Sequence, residues 1–517
     1  MRYCFFLCCF FFVSMSFGQV KQTHIYELEK KNTDDFFTVL PAGEKGVVIF
    51  RDTDDYKKGD KWQVVALDTT LVEKWNIELS IDTRYNFKGY DLKNSTIYFL
   101  FRRGEMEKND YHLITISIDD GEVTRYDIAN EIALSLSHLV MLSDRMILAG
   151  YVNFSPTLVA YKMGGESFEV VPGFFKDRST IVDLRSNENG TFNSVTLEKD
   201  YAANYIKLRT YSDDGELLFE RQVESDDKHF VLSAKSSGFI DGNFAIAGTY
   251  SFRRSYYAAG IYLAIVKPRG QDNIIKYHSF ADLNHFFDYM KPKRAARVRA
   301  RLKRRSERGK ELNYTSKLLL HEVRKSKNGY LLAAEIYDPE YVERGTGTNY
   351  NGFGFDDRNA IRNRNRASQS YAKQPSRLQN VEDADHFEYL ESIVVEIDKQ
   401  GDIVWDNSMK IEDVETNSLE QVVQLTQTGD MVNMIYKAED EIKYQSVQQD
   451  SIVEVNKEPL KLPNEYDKIN HTFDGSGRSE YWYGNNFIVW GYHKVENKVE
   501  TESRNRNVLF INKVVFK

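Results

Sequence analysis

Between Trp62 and Trp75 the apolar run WQVVAL is followed by a polar turn, Asp68-Thr69-Thr70, and a second run that ends on an aromatic. Two such runs around a short polar break predict a β-hairpin. The same shape returns in Tyr111–Tyr126, Tyr205–Glu220 and Ser392–Trp405. A further apolar strand precedes each hairpin, usually entered through Gly, Asn or Asp. Eight such segments occur: Gly46–Arg51, Ser95–Phe101, Asp144–Tyr151, Gly190–Leu197, Gly242–Tyr250, Gly329–Tyr337, Gly429–Tyr436 and Asn486–Tyr492. Most have another strand upstream, among them Phe36–Leu40, Leu134–Leu142, His229–Ala234, Lys317–Val323 and Leu419–Leu425. Four strands in each of eight units predict an all-β chain folded as an eight-bladed β-propeller, with seven blades as the alternative. The alternative stays open because the first strand of the last unit, near Ile469–Phe473, is weakly marked.

The ends of the chain fit a closed ring. The last unit supplies Asn507–Phe516 as its third strand and then stops; Thr23–Glu29 is the expected fourth. Closure in this way removes an exposed sheet edge. The turn sequences Asp119-Asp120-Gly121, Asp213-Asp214-Gly215 and Lys399-Gln400-Gly401 each offer a residue that takes positive φ at little cost, with Asp expected to cap the backbone rather than bind a ligand.

The repeat spacing is broken by two insertions. Residues 281–312 open with ADLNHFFDYM and continue through a basic stretch, Lys291–Lys310, with 11 Lys or Arg and one acid. Ala, Arg, Lys and Leu predict a helix there, with Pro292 at a joint or in its first turn. Phe286, Phe287, Tyr289 and Met290 are expected to dock it on a blade. Residues 343–385, rich in Gly, Asn, Arg, Gln and Ser, are expected to form a mobile loop open to protease.

Composition sets the compartment. Of 517 residues 41% are hydrophobic and 13% aromatic, enough to build a core and exclude a disordered chain. Arg2, the apolar run Tyr3–Val13 and the small residues Ser16 and Gly18 predict a secretory signal peptide over residues 1–18. That run is shorter than the roughly 20 residues needed to span a bilayer. All three cysteines, Cys4, Cys8 and Cys9, lie inside it, so residues 19–517 form one propeller domain without disulfides or a thiol nucleophile. A large exported chain without disulfides favours a bacterial export route, periplasmic or extracellular. No later segment reaches transmembrane length, and the mature chain is expected to be soluble.

Signatures of known chemistry are missing. The sequence has no HExxH, GxSxG or GxxxxGK[ST], and Gly345, Gly347, Gly352 and Gly354 lack the strand-to-helix context of a phosphate loop. His278 and His285 are the nearest histidine pair and match no metal spacing. The acidic loop Asp52-Thr53-Asp54-Asp55, with Gly59 and Asp60 beyond, is a weak calcium candidate; it lacks the EF-hand glycine and closing glutamate, and a solvated loop is the plainer reading. Trp75 and Trp405 hold equivalent places in their hairpins and are expected to pack between blades. Trp482 is the better tryptophan for stacking a sugar ring, against packing as the plainer expectation.

Ile393–Trp405, IVVEIDKQGDIVW, resembles the D-x-x-G-x-x-x-W hairpin of bacterial exported propeller repeats. Val65–Trp75 is similar to the quinoprotein-type repeat but lacks its glycine and is a residue shorter. The resemblance implies the propeller superfamily and carries over no cofactor or catalytic residue. The function expected is a non-enzymatic binding or scaffold protein of the cell envelope or exterior. The alternative is a propeller enzyme, a glycan-active hydrolase or lyase, working at the central channel. The basic stretch contributes +10 to a chain of net charge −8, so the remainder carries −18. Either the helix lies over the acidic propeller or stays solvated, or Arg297, Arg301, Arg304 and Arg305 face an external anion: envelope lipid, acidic glycan or acidic protein. Nucleic acid ranks below these, because export removes the chain from most of it.

Overall fold

The structure, a computed structural model, describes residues 20–30, 37–53, 61–173, 179–199, 204–252, 257–268, 273–309, 312–314, 317–340, 386–497 and 505–517, with 255 and 499. The signal peptide assigned to residues 1–18, the loop assigned to 343–385 and most of the acidic loop after Asp52 lie outside these residues.

The chain forms an eight-bladed propeller of antiparallel sheets. The first blade is Thr38–Pro41, Val47–Thr53, Lys61–Leu67 and Glu73–Ser80, paired in that order. The second runs from Tyr85–Lys93 to Val123–Ile128, the third from Ser135–Met141 to Glu169–Val170 and the fourth from Ser179–Ser186 to Leu217–Glu224. The fifth runs from Lys235–Ile240 to Ile274–Ser279, the sixth from Lys317–Lys325 to Ile403–Lys410 and the seventh from Gln424–Thr428 to Ser451–Pro459. The eighth combines Asp467–Tyr483, Asn486–Asn497 and Asn505–Phe516 with Val20–Glu29 from the other end of the chain.

The apolar runs that mark the repeat are the middle strands, and their burial explains why they do not alternate. Thr96–Arg103 and Gly260–Val266 lie between neighbouring blades and are covered on both faces. A strand buried on both faces reads as a continuous apolar run. Outer strands such as Glu73–Ser80 and Leu217–Glu224 are largely exposed and polar. Each pair of adjacent blades encloses its own apolar cluster. Phe50, Trp62 and Phe99 join the first and second blades, and Tyr444, Phe487 and Phe516 the seventh and eighth. The cluster of Phe37, Ile49, Trp490 and Leu509 joins the eighth to the first and closes the ring.

Closure rests on backbone pairing as well. Val20 stands opposite Phe516 and Glu29 opposite Val508, so the strand begins three residues earlier than Thr23. Gln22 donates to Pro459 O at 2.8 Å and accepts from Asn512 Nδ2 and Lys461 N, both at 2.9 Å, which ties the seventh blade to the eighth. Tyr492 Oη accepts from Phe37 N at 2.6 Å and donates to Phe37 O at 3.2 Å, tying the eighth to the first.

Two sequence expectations shift. The eighth blade does have its inner strand, but the ladder of Asp467–Tyr483 slips at Ile469/His471, Thr472/Gly477 and Tyr481/Tyr483. Each slip resets the two-residue alternation, so the periodic signal fades. In the seventh blade the strand starts at Gln424 rather than Leu419. The amides of Val422 and Val423 donate instead to the Glu335 carboxylate of the sixth blade, at 3.1 and 2.6 Å.

The turn chemistry is as expected. Gly121, Gly215 and Gly401 stand at φ of 77°, 83° and 88°, and Asp398 Oδ1 accepts from the amides of Gln400 and Asp402. The first-blade hairpin has no glycine, and Leu71 takes φ of 60° while Asp68 Oδ1 holds the turn through Thr70 N and Val72 N.

Candidate functional site

Two regions carry charge on the frame: the basic insertion between the fifth and sixth blades, and the inner strands around the propeller axis. The insertion begins with a 3-10 turn, Phe280–Asp282, closed by a capping box in which Ser279 Oγ accepts from Ala281 N and Asp282 accepts from Ser279 N. Phe280 and Phe286 stack with ring centres 3.9 Å apart, and Phe286 and Phe287 are fully buried against the fifth and sixth blades. The Asp406 carboxylate of the sixth blade accepts from Asn284 N at 2.9 Å and His285 N at 2.7 Å. Burial pushes Asp406 up, and those two amides only partly offset it.

The helix, Pro292–Ser306, lies within the expected stretch Lys291–Lys310 of the insertion and starts at Pro292, as the fixed φ of proline favours. Ala295 and Leu302, two turns apart, are buried, with Val298 packed between them. Asp288 binds the helix from its approach: it accepts from Arg299 Nη2 at 2.7 Å and pairs with His285 Nδ1 at 2.7 Å. That hydrogen bond raises the His285 pKa above the ordinary histidine value. Arg297, Arg301, Arg304 and Arg305 are all exposed. Arg304 Nε donates to Ala300 O at 3.0 Å, and among the described residues no acid pairs with any of the four. The helix is therefore clamped by its aromatic approach and its apolar seam, and among the described residues none of these arginines holds it to an acidic blade.

Around the axis the inner strands of several blades carry two groups of paired charges. Asp183 of the fourth blade accepts from Ser236 N at 2.9 Å, with Lys235 Nζ at 3.9 Å. Arg185 donates to Glu322 of the sixth blade, and Arg324 Nε stands 3.8 Å from Glu322. Arg478 of the eighth blade is bound by Glu420 and Glu480 and lies over the Trp490 ring at 5.9 Å. Four cations, Arg185, Lys235, Arg324 and Arg478, thus face four acids, Asp183, Glu322, Glu420 and Glu480. Burial alone would raise Glu322, but Arg185 and Arg324 outweigh it and hold its carboxyl below the usual range. Burial likewise depresses Lys235. Glu322 is thereby held ionised near neutrality.

Further buried acids sit outside those groups. Asp91, in the inner strand of the second blade, accepts from Met141 N at 2.6 Å and links that blade to the third; burial pushes it up to about 6. Glu391 lies beneath the insertion, where Ser408 Oγ donates at 2.8 Å; burial raises it to about 8.

The other sequence candidates resolve into packing. Trp75 Nε1 donates to Ile118 O of the second blade, and its ring lies against Gly121. Trp405 is buried and donates to Glu396 at 2.6 Å. Trp482 is buried as well and donates to Gly46 O at 2.9 Å, which leaves its ring no open face for a sugar. His278 bonds Gly401 O whereas His285 pairs with Asp288, so the two do not form a site. Among the described residues no group of three or more His, Cys, Asp or Glu is placed to hold a metal. The calcium candidate lies mostly outside those residues. No described helix is long and apolar enough to cross a membrane.

No family model and no curated protein matches the chain. Solved structures do. The polysaccharide lyase Uly1 has 7% identity and a TM-score of 0.40, over 83% of this chain and 89% of its own. The Dos1 propeller has 8% identity and a TM-score of 0.38, over 84% and 92%. Prolyl oligopeptidase B from Galerina marginata has 8% identity and a TM-score of 0.40, over 90% and 56%. These neighbours include a lyase and an oligopeptidase beside a propeller named without an activity.

Proposed function

We propose that this chain is an exported, non-enzymatic β-propeller of the cell envelope or exterior that binds an acidic glycan through the arginine face of its inserted helix. One observation carries the reading: Phe286, Phe287 and Asp406 fix the insertion, while Arg297, Arg301, Arg304 and Arg305 project without an acidic partner among the described residues. A hydrophilic polyanion suits this face better than a bilayer. Interfacial helices bury an apolar face in lipid; here Ala295 and Leu302 are already spent on the blades. Export rests on the leader read in residues 1–18. The test is retention of the mature chain on immobilised polygalacturonate at low and high salt, with anionic vesicles as the comparison. Retention at low salt that is lost as the Debye length shrinks from about 10 Å at 0.1 M supports the reading. Equal retention at both salts, or none, overturns it.

A second reading, a glycan-active hydrolase or lyase at the channel, draws on the gathering of Arg185, Glu322, Arg324 and Arg478 about the axis. It requires depolymerisation of an acidic glycan by the wild-type chain and loss of that activity in Glu322→Gln.

A further inference from the structure

The antiparallel order of the blades places the inserted helix at one end of the channel and the turns between first and second strands at the other. At that second end, between the sixth and seventh blades, a cavity of about 420 Å³ opens among Arg324, Lys325, Lys327, Thr426, Gln427 and Tyr481. Its lining brings three cations together with hydroxyl and amide groups and includes no carboxylate. The acids that neutralise the lysines stand outside it: Asp241 pairs with Lys325 at 2.5 Å and Asp430 with Lys327 at 3.0 Å. Both lysines are well exposed, and exposed pairs of this kind are weak and readily exchanged for another anion. Arg324 is different. Its guanidinium lies 5.4 Å over the Tyr481 ring, Nη1 donates to Leu425 O at 2.9 Å and Nε faces Glu322 at 3.8 Å, so its fork is held in one orientation with its outer nitrogens left toward the cavity. A fixed guanidinium favours a planar, two-oxygen acid group.

We infer that this cavity is a binding site for a small acidic saccharide, with Arg324 and Lys327 taking its acid group and Thr426 and Gln427 facing its hydroxyls. The cleft is open to solvent, and its volume exceeds what a single inorganic anion fills. The site is distinct from the arginine face, and neither depends on the other.

The experiment is calorimetric titration of the mature chain with digalacturonate, a sulfated chondroitin disaccharide, maltose and inorganic phosphate. At least one acidic disaccharide is expected to bind with Kd below about 1 mM, and the two acids separate a carboxylate from a sulfate preference. Lys327→Gln, a surface change, is expected to weaken that binding about tenfold without moving the melting temperature. The variant with Arg297, Arg301, Arg304 and Arg305 changed to Gln is expected to bind the disaccharide as wild type does. The inference is overturned if neither acidic disaccharide binds, if maltose or phosphate binds as tightly, or if Lys327→Gln leaves the affinity unchanged.

Discussion

Arg185 of the fourth blade reaches past Ser236 of the fifth to donate to Glu322 of the sixth at 2.5 Å, so one ion pair spans three blades. The side chains remain 32% and 44% exposed within the channel. Water screening therefore limits what the pair contributes. A double-mutant cycle with Arg185→Gln and Glu322→Gln is expected to give a coupling of about 1 kcal/mol or less in urea unfolding. A coupling several times larger would mean that the channel is dry and the pair a structural lock.

The ring is closed by the first described strand. Deletion of Val20–Glu29 removes the backbone partners of Asn505–Phe516 and exposes the cluster around Phe37 and Trp490. The truncated chain should melt well below the full one and bind a hydrophobic dye. Tyr492→Phe is a gentler probe, because it removes both hydrogen bonds to Phe37 and leaves the ring in place. Its expected cost is about 1–3 kcal/mol, read as a shift in the denaturation midpoint.

Phe286 is the anchor of the insertion, fully buried and stacked on Phe280. Phe286→Ala is expected to cost about 3–5 kcal/mol. Limited proteolysis should then cut first near the helix. If stability and cleavage stay as in wild type, the insertion is not clamped by its aromatic approach.

Glu391 gives a pH dependence with a definite sign. Burial lifts its pKa from the usual 4.5 to about 8, with Ser408 pulling the other way, Asp288 adding repulsion and Arg299 opposing it. The folded state holds this proton more tightly than the unfolded state does. The penalty is absent below about pH 4.5, grows through the window up to pH 8 by about 1.4 kcal/mol per unit at most, and is constant above it. Glu391→Gln should therefore melt like wild type at pH 4 and above it at pH 8. A difference that is the same at both ends would remove ionisation as its cause.

The repeat was legible because the middle strands are buried on both faces and advertise themselves as apolar runs, as Thr96–Arg103 and Gly260–Val266 do. The helix was legible from composition, and its anchor from two adjacent phenylalanines. The channel was not. Arg185, Glu322, Glu420 and Arg478 come from inner strands or loops of separate blades, and nothing local marks them as neighbours. Their signal in the sequence is only that charged residues interrupt otherwise apolar inner strands, as in Lys317–Lys325. The eighth blade's inner strand was obscured by its own register slips, and the start of the seventh blade's by Glu335, which takes over the amides of Val422 and Val423. Trp482 packs, as the plainer expectation had it; the ligand alternative stayed open because an aromatic that closes the ring looks, in sequence, like one that meets a ligand.

The central claim is that the arginine face of the insertion binds and does not brace. The direct measurement compares wild type with the variant carrying Gln at 297, 301, 304 and 305 on immobilised polygalacturonate at low salt, alongside their melting temperatures. All four arginines are exposed and lack acidic partners among the described residues, so the two proteins should melt together while the variant loses retention by about tenfold or more. A variant that is retained as strongly as wild type, or one that unfolds, would contradict the account.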